Sequence, residues 1–338
     1  MSDSVLAGAQ APAAGPIVVG SFAPGSAAWL AARKAGIGGS EIAAVLGLSP
    51  FESAFSLWHR KRGLMEPVEE TDVMYWGKLH EATICGEFAR RHTEFEVVVA
   101  PTYAHAERPW QIANPDRLLR TPCGCHLHRA DCCDLNDCGP CCERCPTCPT
   151  LARAQPPAAV LEAKTARDGE GWGEEGTDEI PVHYRAQCLW YLDVLGLDTC
   201  HVAVLIAGAD YREYVVHRDP VEAELLRDAG ARFIDSLAAG DRPAIDGHTA
   251  TYQAVKALPE GLDDIDIEVP GTLRDRYFAA LAAASAAEEE KRAAAGLLLD
   301  AIGTGRRAVC ERRLVATRTV RDGRTYSLLP TRNRENAA

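Results

Sequence analysis

Glu162 and Lys164 stand two residues apart in the run Ala159-Val160-Leu161-Glu162-Ala163-Lys164-Thr165, whose apolar start predicts a strand over 159–165. Residues i and i+2 of a strand point to one face. A carboxylate and an ammonium side by side at the end of such a strand can hold a divalent cation and steer a water at a phosphodiester. An isolated Glu-x-Lys is more often a surface ion pair, so the chemistry depends on what else converges there.

Two other segments offer partners. In Asn114-Pro115-Asp116 the proline keeps the preceding residue extended, which sets a carboxylate where a strand predicted over 117–119 begins. Magnesium takes several oxygens in octahedral geometry, so Asp116, Glu162 and the backbone carbonyl of Ala163 would suffice to hold it. The turn Gly36-Ile37-Gly38-Gly39-Ser40 separates helices predicted over 26–34 and 41–46. Its glycines permit close backbone approach, and a helix N-terminus capped by the Ser40 hydroxyl suits a phosphate.

These residues must be positioned by a larger frame. Further helices are predicted over 54–62, 71–92 (carrying Trp76, Gly77 and Glu81) and 183–195, with strands at 95–100, 110–113, 201–206 and 211–217. The order of helices, mixed strands, helix and strands predicts an α/β sandwich with a mixed central sheet. Residues 1–22, rich in Ala, Pro and Gly, read as a disordered tail, 23–220 as the core, and 221–338 as a helical extension ending in a small β-hairpin pair over 307–329.

Composition supports a packed core, with 47% apolar and 25% charged residues in a chain of 338. The formal charge of -12, from 36 Lys and Arg against 48 Asp and Glu, argues against coating nucleic acid by bulk electrostatics. Local basic clusters at Arg33-Lys34, His59-Arg60-Lys61-Arg62 and Arg90-Arg91 leave room for a groove. No stretch has the length of a membrane span and no export leader is legible, so a cytoplasmic location is expected. In a reducing compartment the clustered thiols among the 13 cysteines read as metal ligands before disulfides.

The set Gly36-Ile37-Gly38-Gly39-Ser40-Glu41, Trp76-Gly77-Lys78-Leu79-His80-Glu81, Pro115-Asp116, Glu162-Ala163-Lys164 and Gln187-Cys188-Leu189-Trp190-Tyr191 resembles the YqaJ-like viral recombinase nucleases, relatives of phage lambda exonuclease in the PD-(D/E)XK superfamily. The resemblance covers roughly residues 29–219; the tail beyond it looks like an extension found in some actinobacterial phage members. It implies a restriction-endonuclease-like core in which Asp116 and Glu162 ligate magnesium or manganese. Glu81 would complete the metal's surroundings, and Lys164 would orient or activate the attacking water. Gln187 and Tyr191, one helical turn apart, would face the site, and Ser40 would hold a terminal 5′-phosphate. Many relatives place an arginine two residues before the first glycine of the turn; here Lys34 stands there with Arg33 beside it. Either could grip the phosphate, with different geometry, because only Arg contacts it bidentately.

Between Asp116 and Glu162, where relatives have a short hairpin, nine of the 13 cysteines and two histidines are inserted over 121–157: Cys123, Cys125, His126, His128, Cys132, Cys133, Cys138, Cys141, Cys142, Cys145 and Cys148. Three Cys-x2-Cys spacings suit tetrahedral zinc. Structural zinc is favoured over an iron–sulfur cluster, or no metal at all, because related iron–sulfur nucleases carry their cysteines flanking the core.

The resemblance thus implies a magnesium-dependent DNA exonuclease, phage- or prophage-encoded and working in a bacterial cytoplasm. It would degrade duplex ends 5′ to 3′ to make single strands for recombination. It also implies a single-strand annealing partner and a homo-oligomeric ring around DNA. The rivals are a Cas4-like iron–sulfur nuclease and a non-catalytic DNA-binding or adaptor module that uses the cysteine insert.

Overall fold

The computed structural model describes residues 15–22, 25–121, 156–258, 261 and 263–331. The insert cysteines and histidines from Cys123 to Cys148 lie outside the described residues. In chain order the first part runs β1 (Ile17–Gly20), α1 (Ala27–Lys34), β2 (Ile37–Gly38), α2 (Gly39–Val45), α3 (Ala54–Lys61) and α4 (Asp72–Arg91). Then come β3 (Glu96–Val99), β4 (Thr102–Ala104), β5 (Gln111–Ala113), β6 (Arg117–Arg120) and β7 (Ala159–Ala166). Helix α5 (Val182–Leu195), β8 (Thr199–Ile206), β9 (Asp210–His217), α6 (Pro220–Ala239) and α7 (Thr249–Ala257) follow.

Five strands make the sheet that carries the acid and lysine, in the order β3-β6-β7-β8-β9. Strands β7 and β8 are parallel and the other neighbours antiparallel, which makes the sheet mixed as expected. A parallel pair needs a crossover, and α5 supplies it. A second sheet, β1-β4-β5-β2, is also mixed, with β2 and β5 parallel.

Alternation along β7 decides what each face meets. Val160 joins a large core with Cys200, Val202, Val204 and the α5 residues Leu189, Trp190 and Leu192, whereas Ala159 and Leu161 pack with Ile84, Cys85 and Phe88 of α4. Period-two geometry then sends Glu162 and Lys164 to the α5 side with Val160. Helix α5 is pinned there by Trp190, fully buried, whose indole Nε1 donates to the Ile112 carbonyl of β5 at 3.0 Å.

Several elements escaped the sequence pattern. The β-branched run Ile17-Val18-Val19 opens β1, which pairs with β4, so a strand lies inside the segment expected to be a tail. Ser40 is not a helix cap: α2 begins at Gly39, and the N–H of Gly38 is taken by Glu41 Oε2 at 2.7 Å. Helices α6 and α7 belong to the same unit as the sheets, and the division into two units falls after Gly261, past the expected limit of 220. In α6, Leu226 and Phe233 enter the main core, and in α7 the Thr251 hydroxyl donates to the Ser53 Oγ that caps α3, at 2.7 Å.

The second unit contains α8 (Gly271–Ala301) and an antiparallel sheet of β10 (Arg307–Cys310), β11 (Arg313–Arg321) and β12 (Arg324–Pro330). Among the described residues no helix is long and apolar enough to cross a membrane.

Candidate active site

Glu162 is 2% exposed, and among the described residues its side-chain hydrogen bonds enter through one oxygen. Its Oε1 accepts from Lys164 Nζ at 2.6 Å and from Gln187 Nε2 at 2.6 Å. The strand fixes the first contact, because residues two apart share a face. The crossover helix brings the second. Gln187 Nε2 also donates to the Tyr191 hydroxyl at 2.9 Å, four residues on and so one turn along α5. Tyr191 in turn donates to the Asn114 carbonyl at 3.0 Å. A continuous chain of hydrogen bonds therefore runs from the residue before Pro115 to the strand carboxylate.

The other oxygen, Glu162 Oε2, is buried with no hydrogen-bond partner among the described residues. Leaving a buried acceptor unpaired costs about 1–3 kcal/mol, a penalty that a bound cation would remove. Asp116 adds to the same pressure. Its Oδ2 accepts from the backbone N–H of Ala163 at 2.8 Å, so its carboxylate lies directly across from β7. Burial pushes its acidity well toward the protonated form, and the charges of Glu162 and Glu81 push the same way. The buried Glu162 carboxylate and the half-buried Asp116 carboxylate together form a donor set suited to a hard divalent ion.

Glu81 reaches this region from α4, but Arg117 Nη1 holds its Oε1 at 2.7 Å while also donating to the Asp116 carbonyl at 2.6 Å. No cage of three or more His, Cys, Asp or Glu side chains is assembled among the described residues. The fit to a cation rests on Asp116 and Glu162, with Glu81 tethered beside them by Arg117. Arg117 was not anticipated, although it directly follows Asp116.

Lys164 remains a cation here. Burial alone would lower its affinity for a proton, but Glu162 and Asp116 outweigh burial and raise it. Its Nζ also lies 4.8 Å from the Tyr184 ring centre. Beside it, burial and the Lys164 charge bring His183 down to about 4, which keeps that imidazole neutral near pH 7. Burial, then Glu162 and Asp116, likewise hold the Tyr191 phenol well above its ordinary range.

The Gly-rich turn abuts this centre. A Cβ on Gly39 would stand 2.4 Å from Tyr191 Cε1, and one on Gly36 would stand 2.1 Å from the Trp110 carbonyl oxygen, so neither position admits a side chain. Here the structure distinguishes the two basic candidates. Arg33 Nη2 donates to Ser40 Oγ at 3.0 Å and pairs with Glu41 Oε1 at 3.1 Å, whereas Lys34 is exposed. Lys61, from the basic run on α3, donates to Glu41 Oε2 at 2.8 Å and to the carbonyls of Arg33 and Gly36, each at 2.6 Å. Burial works to raise Glu41, but Arg33 and Lys61, with the Gly38 N–H, bring it down to about 2. The basic run at 59–62 hinted at such a site, but its internal partner was not legible.

The model of the YqaJ-like viral recombinase domain matches residues 28–198. The uncharacterized protein YqaJ of Bacillus subtilis (strain 168) is 28% identical over 235 residues, which is 68% of this chain and 61% of that protein, so the chain spans less than two thirds of its relative's length. Among solved structures, an alkaline exonuclease from Laribacter hongkongensis has a TM-score of 0.44 at 15% identity, over 69% of this chain and 98% of the other. A phage related exonuclease from Haemophilus somnus 129PT has a TM-score of 0.38 at 8% identity, over 61% and 96%.

Proposed function

The chain belongs to the YqaJ-like viral recombinase domain family, and from that premise we propose that it is a magnesium-dependent DNA exonuclease with a PD-(D/E)XK core. It acts 5′ to 3′ on duplex ends to produce single strands for phage-type recombination in a bacterial cytoplasm. The observation that carries the reading is Glu162: a buried carboxylate with one oxygen fixed by Lys164 and Gln187, the other without a partner among the described residues, and Asp116 anchored to the Ala163 N–H of the same strand. Such a carboxylate costs stability where it stands, which is the cost a site accepts for function.

Asp116 and Glu162 would hold the cation, with Glu81 and the Ala163 carbonyl as supplementary oxygens. When bound there, a divalent ion supplies Lewis-acid polarisation of the phosphoryl oxygens. The protein's own groups do the rest. Lys164, kept protonated, is no general base; its N–H groups orient the attacking water or neutralise charge developing on the phosphorane. The Gln187 amide, fixed by Tyr191 and the Asn114 carbonyl, locks Glu162 in one rotamer. Arg33 and Ser40 would receive the terminal 5′-phosphate, and Arg33 is the better candidate over Lys34 because a guanidinium can engage phosphate through two N–H groups. A single-strand annealing partner and a ring of subunits are part of the same reading.

Incubating linear duplex, with and without a 5′-phosphate, in magnesium tests it. Degradation of the phosphorylated substrate is expected from the wild type and not from Glu162→Gln. An inactive wild type would return the non-catalytic DNA-binding module to first place, and an active variant would remove Glu162 from the chemistry.

A further inference from the structure

Helix α5 carries a buried carboxylate of its own, Asp193, 4% exposed, six residues beyond Gln187 and two beyond Tyr191. At 3.6 residues per turn it projects roughly 200° around the helix from Tyr191, away from Glu162. Three arginines from three different segments converge on it. Arg108, in the turn before β5, lies 3.3 Å away, Arg227 on α6 lies 3.4 Å away, and Arg218, just past β9, lies 3.6 Å away. Gln111, fully buried, fixes the arrangement: its Nε2 donates to Asp193 Oδ2 at 2.8 Å, and its Oε1 accepts from Arg108 Nε at 2.8 Å.

One arginine suffices to neutralise a buried aspartate. Three guanidiniums converge on the single carboxylate of Asp193, in a chain whose total charge is -12. Nearby, burial first and then the Arg108 charge lower the affinity of His105 for a proton, against the opposing charges of Asp193 and Glu107. The three arginine side chains stay partly open to solvent, at 23%, 36% and 31% exposure. Each guanidinium carries five N–H donors in a fixed plane. Most of that donor capacity is not consumed by one carboxylate.

We propose that Arg108, Arg218 and Arg227, braced by Asp193 and Gln111, form a phosphodiester-binding site for the nucleic-acid backbone, separate from the Glu162 centre. It rests on the reading of the protein as a DNA-acting enzyme. Lying across α5 from the reacting end, at least a helix diameter (~10 Å) away, it grips a stretch of backbone that is not being cut. Asp193 acts here as the post that holds three mobile side chains in register. That division of labour explains why the aspartate is buried and the arginines are not.

The test is duplex binding followed by anisotropy in EDTA, where no cleavage occurs, across a salt series. The wild type is compared with Arg218→Gln/Arg227→Gln, which leaves Arg108 to neutralise Asp193. The double variant is expected to bind about tenfold more weakly, with the slope of log K against log salt shallower by about 2. Arg218→Lys/Arg227→Lys should restore most of that slope. Unchanged affinity and slope in a variant that melts like the wild type would overturn the proposal and leave the cluster a purely internal ion network. If the double variant does not fold, Arg218→Gln alone decides, with a slope change of about 1 expected. Inorganic phosphate is the control ligand: if it raises the wild-type melting temperature while the DNA slope ignores the arginines, the site takes free phosphate and the nucleic-acid assignment fails. Full salt-dependent binding without any cleavage in magnesium would sink the exonuclease reading and leave this site standing.

Discussion

Glu162 and Glu41 are the same residue type, each within 8% of complete burial and each bonded to a lysine, yet they are treated in opposite ways. Both oxygens of Glu41 are occupied, Oε2 by Lys61 and the Gly38 N–H, Oε1 by Arg33. Glu162 has a single cationic partner among the described residues, a second carboxylate as its neighbour, and an oxygen with no partner. A buried charge that is fully paired is part of the scaffold. One left short of partners has room for something else. The contrast separates a turn whose internal glutamate holds its basic side chains in place, and which we propose receives phosphate, from a centre that we propose takes a cation.

Changing the two glutamates to glutamine should therefore break different properties. Glu162→Gln removes the anion that would bind metal, so the rate of duplex degradation should fall by about a thousandfold or more, while the protein still melts cooperatively. Glu41→Gln should instead cost stability, about 3 kcal/mol, because Lys61 and Arg33 lose a shared buried partner. A denaturant titration of each variant beside a rate measurement separates the effects. The pH dependence gives the second contrast its sign. Glu41 is lowered from 4.5 to about 2, so its contribution is fully present above pH 4.5 and lost as pH falls through about 2. Glu41→Gln should flatten that part of the wild-type stability curve.

Asp116 carries the opposite sign. Its proton is held more tightly in the folded chain than in the unfolded one, through burial and the Glu162 charge, so without metal its contribution is present below the ordinary aspartate range and lost as pH rises through the raised value. Asp116→Asn, which can still accept from the Ala163 N–H, should make the metal-free protein more stable at pH 8 and leave it inactive. Thermal melts at pH 4 and pH 8 read this directly. The smallest effect expected is that of Tyr191→Phe, which strips one bond each from Gln187 and the Asn114 carbonyl: about 1–2 kcal/mol of stability and a modest loss of rate.

Much of this was legible in residue types and spacing. The acid–lysine strand, the helix over 183–195 and the Asp116 carboxylate were legible in period-two and period-3.6 patterns and in Pro115, whereas Gln187 and Tyr191 came from the family resemblance. What was hidden depends on contacts between residues distant in sequence. Arg117 pairs with Glu81 across 36 positions and Lys61 with Glu41 across 20; no local periodicity encodes either. The three-residue β4 and two-residue β2 are too short to show alternation, and they exist because neighbouring strands complete their hydrogen bonds. The choice of Arg33 over Lys34 for Ser40 follows from the phase of α1, a matter of one residue that sequence resemblance alone left open. The assignment of zinc to Cys123 through Cys148 falls on residues outside those described.

Magnesium titrated into the wild type, Glu41→Gln and Glu162→Gln, with melting temperature as the readout, tests the distinction between the two glutamates most directly. A ligand that binds only the folded state raises the melting temperature with its concentration. The wild type and Glu41→Gln, from their different starting points, should both rise with magnesium, and Glu162→Gln should not. A magnesium-dependent rise in Glu162→Gln equal to that of the wild type would contradict the claim that the unpartnered oxygen of Glu162 is kept for a cation.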